Sequence, residues 1–207
     1  MIRLSALYLL LFVILTKCNA PKEEVFWVQG FKVENTNKQQ VFAIQKGSTV
    51  RNEAFTPLNK NIEGFNFEEG YLKKIEVKEE ANQYILLREI EKKKDYRMHL
   101  NGDWILKTVF EIAPDITEKK AVLKMNLNKM KLQGKCYCND YEGSIRMLNF
   151  NTVHFSIRKL TKKTCLQNDL EQLYFKTLEN TNTYLIKGKN VYFYDASGKK
   201  TLSFTKQ

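Results

Sequence analysis

Tyr184-Leu185-Ile186-Lys187-Gly188-Lys189-Asn190-Val191-Tyr192-Phe193-Tyr194-Asp195-Ala196-Ser197-Gly198-Lys199-Lys200-Thr201-Leu202-Ser203-Phe204 is three short apolar runs parted by two turn signals. Lys187–Asn190 and Asp195–Gly198 carry the Gly, Asn, Asp and Ser that tight turns need. The runs between them are rich in Tyr, Phe, Val, Ile and Leu, the composition of strands. The stretch therefore predicts a three-strand antiparallel meander. Just upstream the period changes. Leu166, Leu170, Leu173, Tyr174 and Leu178 recur at helical spacing, with Asn168 or Asp169 placed to cap the first turn.

Working back toward the N-terminus, the alternation returns. Val153, Phe155 and Ile157 form a period-2 set, as do Leu123, Met125 and Leu127, then Met130 and Leu132. Leu100-Asn101-Gly102-Asp103-Trp104-Ile105-Leu106 opens this half. The first half also reads as strands. Val25, Trp27, Gln29, Phe31 and Val33 alternate, and Val41–Ile44, Tyr71–Lys78 and Tyr84–Ile90 follow, with Glu79–Asn82 as a hairpin turn. Gly64 and Gly70 mark turns within the aromatic stretch Ile62–Tyr71. The expectation is an α+β protein, mostly antiparallel β, in two small domains. The second is a curled sheet or roll with one packed helix. Glu91-Lys92-Lys93-Lys94-Asp95 reads as the short linker between them.

The N-terminus carries a different signal. Met1-Ile2-Arg3 precedes an unbroken apolar run from Leu4 to Leu15, then Thr16-Lys17-Cys18. One early charge and about a dozen apolar residues describe a secretory signal peptide. The run is shorter than the ~20 residues of a membrane span. Leu15-Thr16-Lys17-Cys18 resembles a bacterial lipobox, in which the cysteine becomes the acylated first residue. Lys17 stands where a small residue is usual. Ordinary cleavage after Ala20 is the competing cut, and an uncut helical anchor is the third reading. The lipoprotein reading makes residues 1–18 the leader and 19–24 a tether, with an N-terminal β-rich domain over 25–95 and a second domain over 99–206. It places the protein in the cell envelope, anchored to the outer membrane through Cys18.

Charge is unevenly placed within a formal net charge of +11. Residues 21–95 are neutral, with 13 basic against 13 acidic side chains. Residues 96–207 hold 19 against 10. The lysines are scattered in pairs (Lys119-Lys120, Lys162-Lys163, Lys199-Lys200), not aligned along a helix. With no zinc-finger spacing and no aromatic-basic signature, and with export from the cytoplasm, nucleic acid is excluded as a partner. The basic half reads first as a solvated surface; for a dedicated anion site, lipid headgroups and glycans are the anions left.

Catalytic patterns are poor. His99 and His154 are the only histidines, and neither sits in a Ser/His/Asp or Cys/His arrangement. Glu63, Glu68 and Glu69 are carboxylates near aromatics, but paired acids in a turn are usually surface residues. Cys136 and Cys138 with Cys165 and His154 make poor zinc spacing in an oxidising compartment. No catalytic residue, metal site or cofactor is expected. The chain reads as a non-enzyme.

Gly134-x-x-x-Cys138-Asn139-x-Tyr141-x-Gly143 resembles the signature of META domains, the family of the heat-shock protein HslJ. Thr161-Lys162-x-x-Cys165 is similar to a second element of that family, and Leu100-x-Gly-x-Trp104-x-Leu106 to its first strand. The tail fits as well, from Glu171 through Val191-Tyr192-Phe193 and Gly198 to Phe204. The first half is similar, more loosely, to a domain of unknown function that commonly precedes META domains in envelope lipoproteins. The cysteine pair usual in that domain is absent near Asn35 and Val41.

Independently of the family, an Asn after Cys138 tolerates a left-handed backbone, and Gly143 relieves crowding beside the Tyr141 ring. On an extended strand Cys136 and Cys138 would share a face, and either could reach Cys165. The family motif favours Cys138. Closing that loop of about 27 residues would stabilise the fold by roughly 3.5 kcal/mol. The resemblance implies a non-enzymatic envelope lipoprotein with a binding or stabilising role, in stress response or envelope maintenance. The alternative is a lipid- or glycan-binding module that uses a cleft in the roll lined by the aromatic rings of the closing meander.

Overall fold

The structure, a computed structural model, describes residues 22–112, 121–163 and 168–207, with the side chain of Asn168 left aside. The leader, Cys18, Lys119-Lys120, Cys165 and Leu166 lie outside the described residues. In the first half, strands β1 (Glu23–Val28), β2 (Val33–Glu34), β3 (Gln40–Val41), β4 (Ala43–Lys46), β5 (Thr56–Pro57), β6 (Ile62–Glu63), β7 (Tyr71–Glu80) and β8 (Gln83–Lys94) follow in order. Six of them form one sheet, ordered β5-β4-β1-β7-β8-β6, and β2 and β3 pair separately. All pairings in the larger sheet are antiparallel except the short β6–β8 contact. Its core is Phe26, Val28, Ile44, Ile62, Ile75, Val77 and Tyr84. Phe26 and Val28 are alternate positions of β1, and Ile75 and Val77 of β7, as a half-buried sheet requires; β4, β6 and β8 supply one residue each.

A 3₁₀ turn (Tyr96–Leu100) leads into the second sheet, built from β9 (Gly102–Val109), β10 (Val122–Asn126), β11 (Lys131–Cys136), β12 (Asn139–Leu148), β13 (Val153–Leu160), β14 (Thr183–Lys187), β15 (Asn190–Tyr194) and β16 (Lys200–Lys206). Its order is β13-β12-β11-β10-β9-β16-β15-β14, antiparallel throughout. The first and last strands of this half, β9 and β16, lie side by side. The two edges, β13 and β14, curl toward each other and meet at one end. There the Val153 N–H donates to Asn182 O (3.0 Å) and the Tyr184 N–H to Asn151 O (2.9 Å). Helix α1 (Asn168–Glu179) packs Glu171, Tyr174, Phe175 and Leu178 into the curl. The meander, the single helix and the roll follow the sequence pattern.

Two expectations change. The charge run Glu91–Lys94 is not a linker but the second half of β8, paired with Lys74 to Tyr71 of β7. Beyond Ile85 the outer side of β8 has no partner strand among the described residues, and residues 87–94 are all exposed. Charged side chains there discourage pairing with another chain, which is what an uncovered edge requires. The tether is also shorter than 19–24, because Glu23 and Glu24 already pair with Lys78 and Val77.

The halves do more than touch. The larger core joins Phe31, Val33 and Ala43 of the first half to Leu100, Trp104, Phe193 and Phe204 of the second. At the junction the Asp95 side chain is fully buried and its carboxylate receives Arg97 through Nε (2.8 Å) and Nη2 (2.6 Å). It also accepts the Gly30 N–H at 2.9 Å. The Arg97 guanidinium lies 4.4 Å from the Phe55 ring centre, 4.8 Å from that of Phe150 and 5.3 Å from that of Phe31. Asn52 and Asn151 side chains hydrogen-bond across the same junction at 2.8 Å.

Candidate functional site

The family-like residues converge on the β11–β12 hairpin. Cys136 pairs with Asn139, so Tyr137 and Cys138 are the two-residue turn. Tyr137 takes the positive φ (49°) that the turn needs. Sequence reasoning gave that conformation to Asn139, which is instead a buried strand residue. The turn also removes the extended geometry that would have put both cysteines on one face. Cys136 points into the core as a free thiol. Cys138 sits at the tip, its Sγ 3.8 Å from Lys163 O.

Asn139 is the hub. Its Nδ2 donates to Glu171 Oε2 (2.7 Å) and to Lys163 O (3.2 Å). Its Oδ1 accepts from Thr161 Oγ1 and from the Lys163 N–H, both at 2.8 Å. Its own N–H meets Glu171 Oε1 at 3.3 Å. Thr161 Oγ1 in turn accepts the Asp140 N–H at 2.9 Å. One amide thus ties the hairpin, the segment after β13 and α1 together. An amide suits this place, because it offers donors and acceptors on one planar group. Glu171, 4% exposed, is the one carboxylate in the knot. It escaped the sequence reading as a site residue. The available signal was an acid on the buried face of the helix, three and seven residues before Tyr174 and Leu178.

Two residues along β12, Tyr141 lies opposite Gly134. A Cβ on Gly134 would fall 1.9 Å from Val122 O and 2.7 Å from the Tyr141 hydroxyl oxygen. The glycine is there so that the ring can lie across the neighbouring strand. Gly143 serves a different contact from the one expected: its Cβ would fall 2.3 Å from Ser156 O of β13, not against Tyr141. The Tyr141 hydroxyl contacts Val122 O at 3.0 Å and the Tyr174 hydroxyl at 2.6 Å. A hydroxyl has one proton, and a carbonyl can only accept. Tyr141 therefore donates to Val122 O, and Tyr174 donates to Tyr141. Burial pushes both phenols and the Cys136 thiol far above their ordinary values, with the Tyr174 hydrogen bond pulling Tyr141 slightly the other way. None of these groups is an acid or nucleophile at neutral pH.

The remaining sequence candidates are dispersed. Glu68 pairs with Lys92 at 2.5 Å, Glu63 accepts from Gln83 at 2.7 Å, and Glu69 is exposed. His154 is on edge strand β13, its Nε2 3.0 Å from Asn182 Oδ1. His99 stands edge-on to the Tyr96 ring. Among the described residues, no three His, Cys, Asp or Glu side chains gather as metal ligands. The interior cleft expected as an alternative is filled: Tyr184, Phe193 and Phe204 are buried, with Phe193 edge-to-face on both Phe155 and Phe204. Open depressions lie on the outer face of β10–β13 and, at the junction of the halves, beside β14 between Tyr96, Phe150 and Leu185.

This arrangement, a curled antiparallel sheet closed by one helix through a hairpin-borne Asn–Glu–Thr knot, defines a class of fold. The META domain family matches over residues 97–207, and the chain belongs to that family. Membership points to a non-enzymatic, envelope-associated role. Among curated proteins none matches the chain. Three solved structures are similar in part. A DUF4847 family protein from Bacteroides vulgatus is 12% identical, covering 54% of this chain and 96% of its own, with a TM-score of 0.41. A protein from Burkholderia xenovorans is 18% identical, covering 54% and 86%, with a TM-score of 0.41. A further solution structure is 17% identical, covering 51% and 89%, with a TM-score of 0.40.

Proposed function

We propose that this protein is a non-enzymatic envelope lipoprotein, anchored to the outer membrane through an acylated Cys18, with a binding or stabilising role in envelope maintenance or stress response. One observation carries the non-enzymatic part. The polar groups of the family motif are consumed by one another: Asn139, Thr161, Glu171, Tyr141 and Tyr174 bond inward and close the fold. Catalytic groups must reach a substrate and titrate near the working pH. These groups are turned toward one another, and burial holds the two phenols protonated at neutral pH.

The same reading pairs Cys138 with Cys165. The Cys138 sulfur lies 3.8 Å from the carbonyl of Lys163, two residues before Cys165, and Cys136 is the free, buried cysteine. Such a bond would staple the hairpin tip to the start of α1, reinforcing the Asn139 knot.

Intact mass spectrometry of the membrane fraction from the native host tests both parts. The expected mature chain begins at Cys18 with a diacyl or triacyl modification. A mature chain beginning at Pro21 refutes the anchor. Reduction should add the mass of two hydrogens, and Cys136 should be the one cysteine that alkylates on unfolding without reductant. Alkylation of Cys138 under those conditions overturns the pairing.

A further inference from the structure

Strands β10–β13 turn their inner side chains to the core and their outer ones to two adjoining depressions. Lys124, Lys129, Lys131, Arg158 and Lys159 line one, of about 480 Å³, where Glu142 is the single acid. The other, of about 670 Å³, shares Lys124, Gln133, Glu142 and Lys159, and adds Lys135 together with the acids Asp103 and Asp140, so the unbalanced positive charge lies in the first. Lys124 has Asp103 at 3.4 Å and Lys159 has Glu142 at 3.1 Å. Among the described residues, Lys129, Lys131, Lys135 and Arg158 make no ion pair. The basic excess of the second half is therefore gathered here in part, although its lysines are scattered along the sequence.

We propose that this outer face binds an anionic glycan. Unneutralised cations lining one depression repel each other, and a polyanion laid along it relieves that repulsion and is drawn in by the focused field. Four strands at ~4.8 Å spacing give a track roughly 14 Å across, long enough for several consecutive anionic units. The neutral amides of Asn126 and Gln133 stand among the cations and are suited to sugar hydroxyls. A surface that docks on lipid needs exposed apolar side chains to insert. Here only Leu160, at the far rim, is both apolar and largely exposed. The proposal gives the binding role a partner class and rests on the non-enzymatic reading, but not on the anchor.

Affinity electrophoresis of the full two-domain chain without its leader tests it, with polygalacturonate as the anionic glycan and dextran as the neutral one. Polygalacturonate should retard the chain, increasingly so at low salt, and dextran should not. The triple variant K129Q/K131Q/R158Q should bind at least about tenfold more weakly, and K129R/K131R should bind as the parent does. A control of equal charge loss elsewhere, K176Q/K187Q/K189Q, should stay within about twofold. Equal loss in both triples reduces the effect to net charge and overturns the site. So does absent retardation, or tighter capture of phosphatidylglycerol vesicles than of glycan. Circular dichroism confirms that each variant is folded, and failure of Cys18 acylation leaves every readout unchanged.

Discussion

Two buried polar knots hold this molecule, and they are built differently. The Asn139 knot is an amide satisfied by a carboxylate, a hydroxyl and backbone, and it closes one sheet onto its helix. The Asp95–Arg97 knot is a bidentate ion pair beneath three aromatic rings, and it joins the two sheets. In the first, the hub is neutral. In the second, each charge is tolerated only because the other is present, since burying a lone charge costs several kcal/mol. The difference predicts where the chain is most fragile: at the junction of its halves.

Arg97→Ala should therefore be the most damaging single change. It leaves the Asp95 carboxylate buried with only the Gly30 N–H and the backbone N–H of residue 97 as donors, and should cost about 3–5 kcal/mol. Urea denaturation measures the loss. The pair Asp95→Ala with Arg97→Met should cost clearly less than the sum of the singles, because no uncompensated charge remains. Additive costs would mean that the two charges do not depend on each other.

This knot was also the least legible feature of the sequence. Asp95 ends a dense charge run, and charge runs are usually solvated, so Glu91–Asp95 reads as a linker. The run is in fact an edge strand, charged because an edge must repel other chains. Only its last residue turns inward, to meet Arg97, whose guanidinium lies against the rings of Phe31, Phe55 and Phe150, which are far apart in sequence. Nothing local to Asp95 announces that. By contrast, the period-2 sets, the helical spacing of α1 and the turn residues of the closing meander act locally, and the structure follows them. The Asn139 knot falls between these cases. Its members were visible as motif positions, but the hub's partner, Glu171, and the φ > 0 residue, Tyr137, were set by packing.

Asn139→Ala comes second in size. It strips the Glu171 carboxylate of the Nδ2 donor and removes the Oδ1 that accepts from Thr161 Oγ1 and the Lys163 N–H. With each buried unsatisfied group costing roughly 1–3 kcal/mol, a loss of about 2–3 kcal/mol is expected after local relaxation. The comparison sharpens in the double variant with Glu171→Gln. If the knot is one unit, that second change should cost far less when Asn139→Ala is already present than it does alone. Full additivity would separate the hairpin from the helix and leave the motif without a common purpose.

The smallest effect belongs to the tyrosine pair beside the knot, and its sign should reverse with pH. Tyr174→Phe removes a hydroxyl that donates to Tyr141 while leaving the Tyr141–Val122 bond in place, so at pH 7 it should cost only about 1 kcal/mol. In alkali the balance changes. Burial raises the Tyr174 phenol well above its ordinary value of 10.0, so above that pH the unfolded chain releases a proton that the folded chain retains. Fewer protons bound by the unfolded state means that stability falls as pH rises, by about 1.4 kcal/mol per unit for each such group. The stability this phenol contributes is whole below its unfolded value and lost above it. The Tyr174→Phe variant carries no such loss. Its stability curve should fall less steeply above about pH 10 and meet that of the parent near about pH 11, as followed by urea midpoints. Parallel curves would mean that the Tyr174 phenol ionises in the folded protein as readily as in the unfolded chain, and that the helix does not seal it from water.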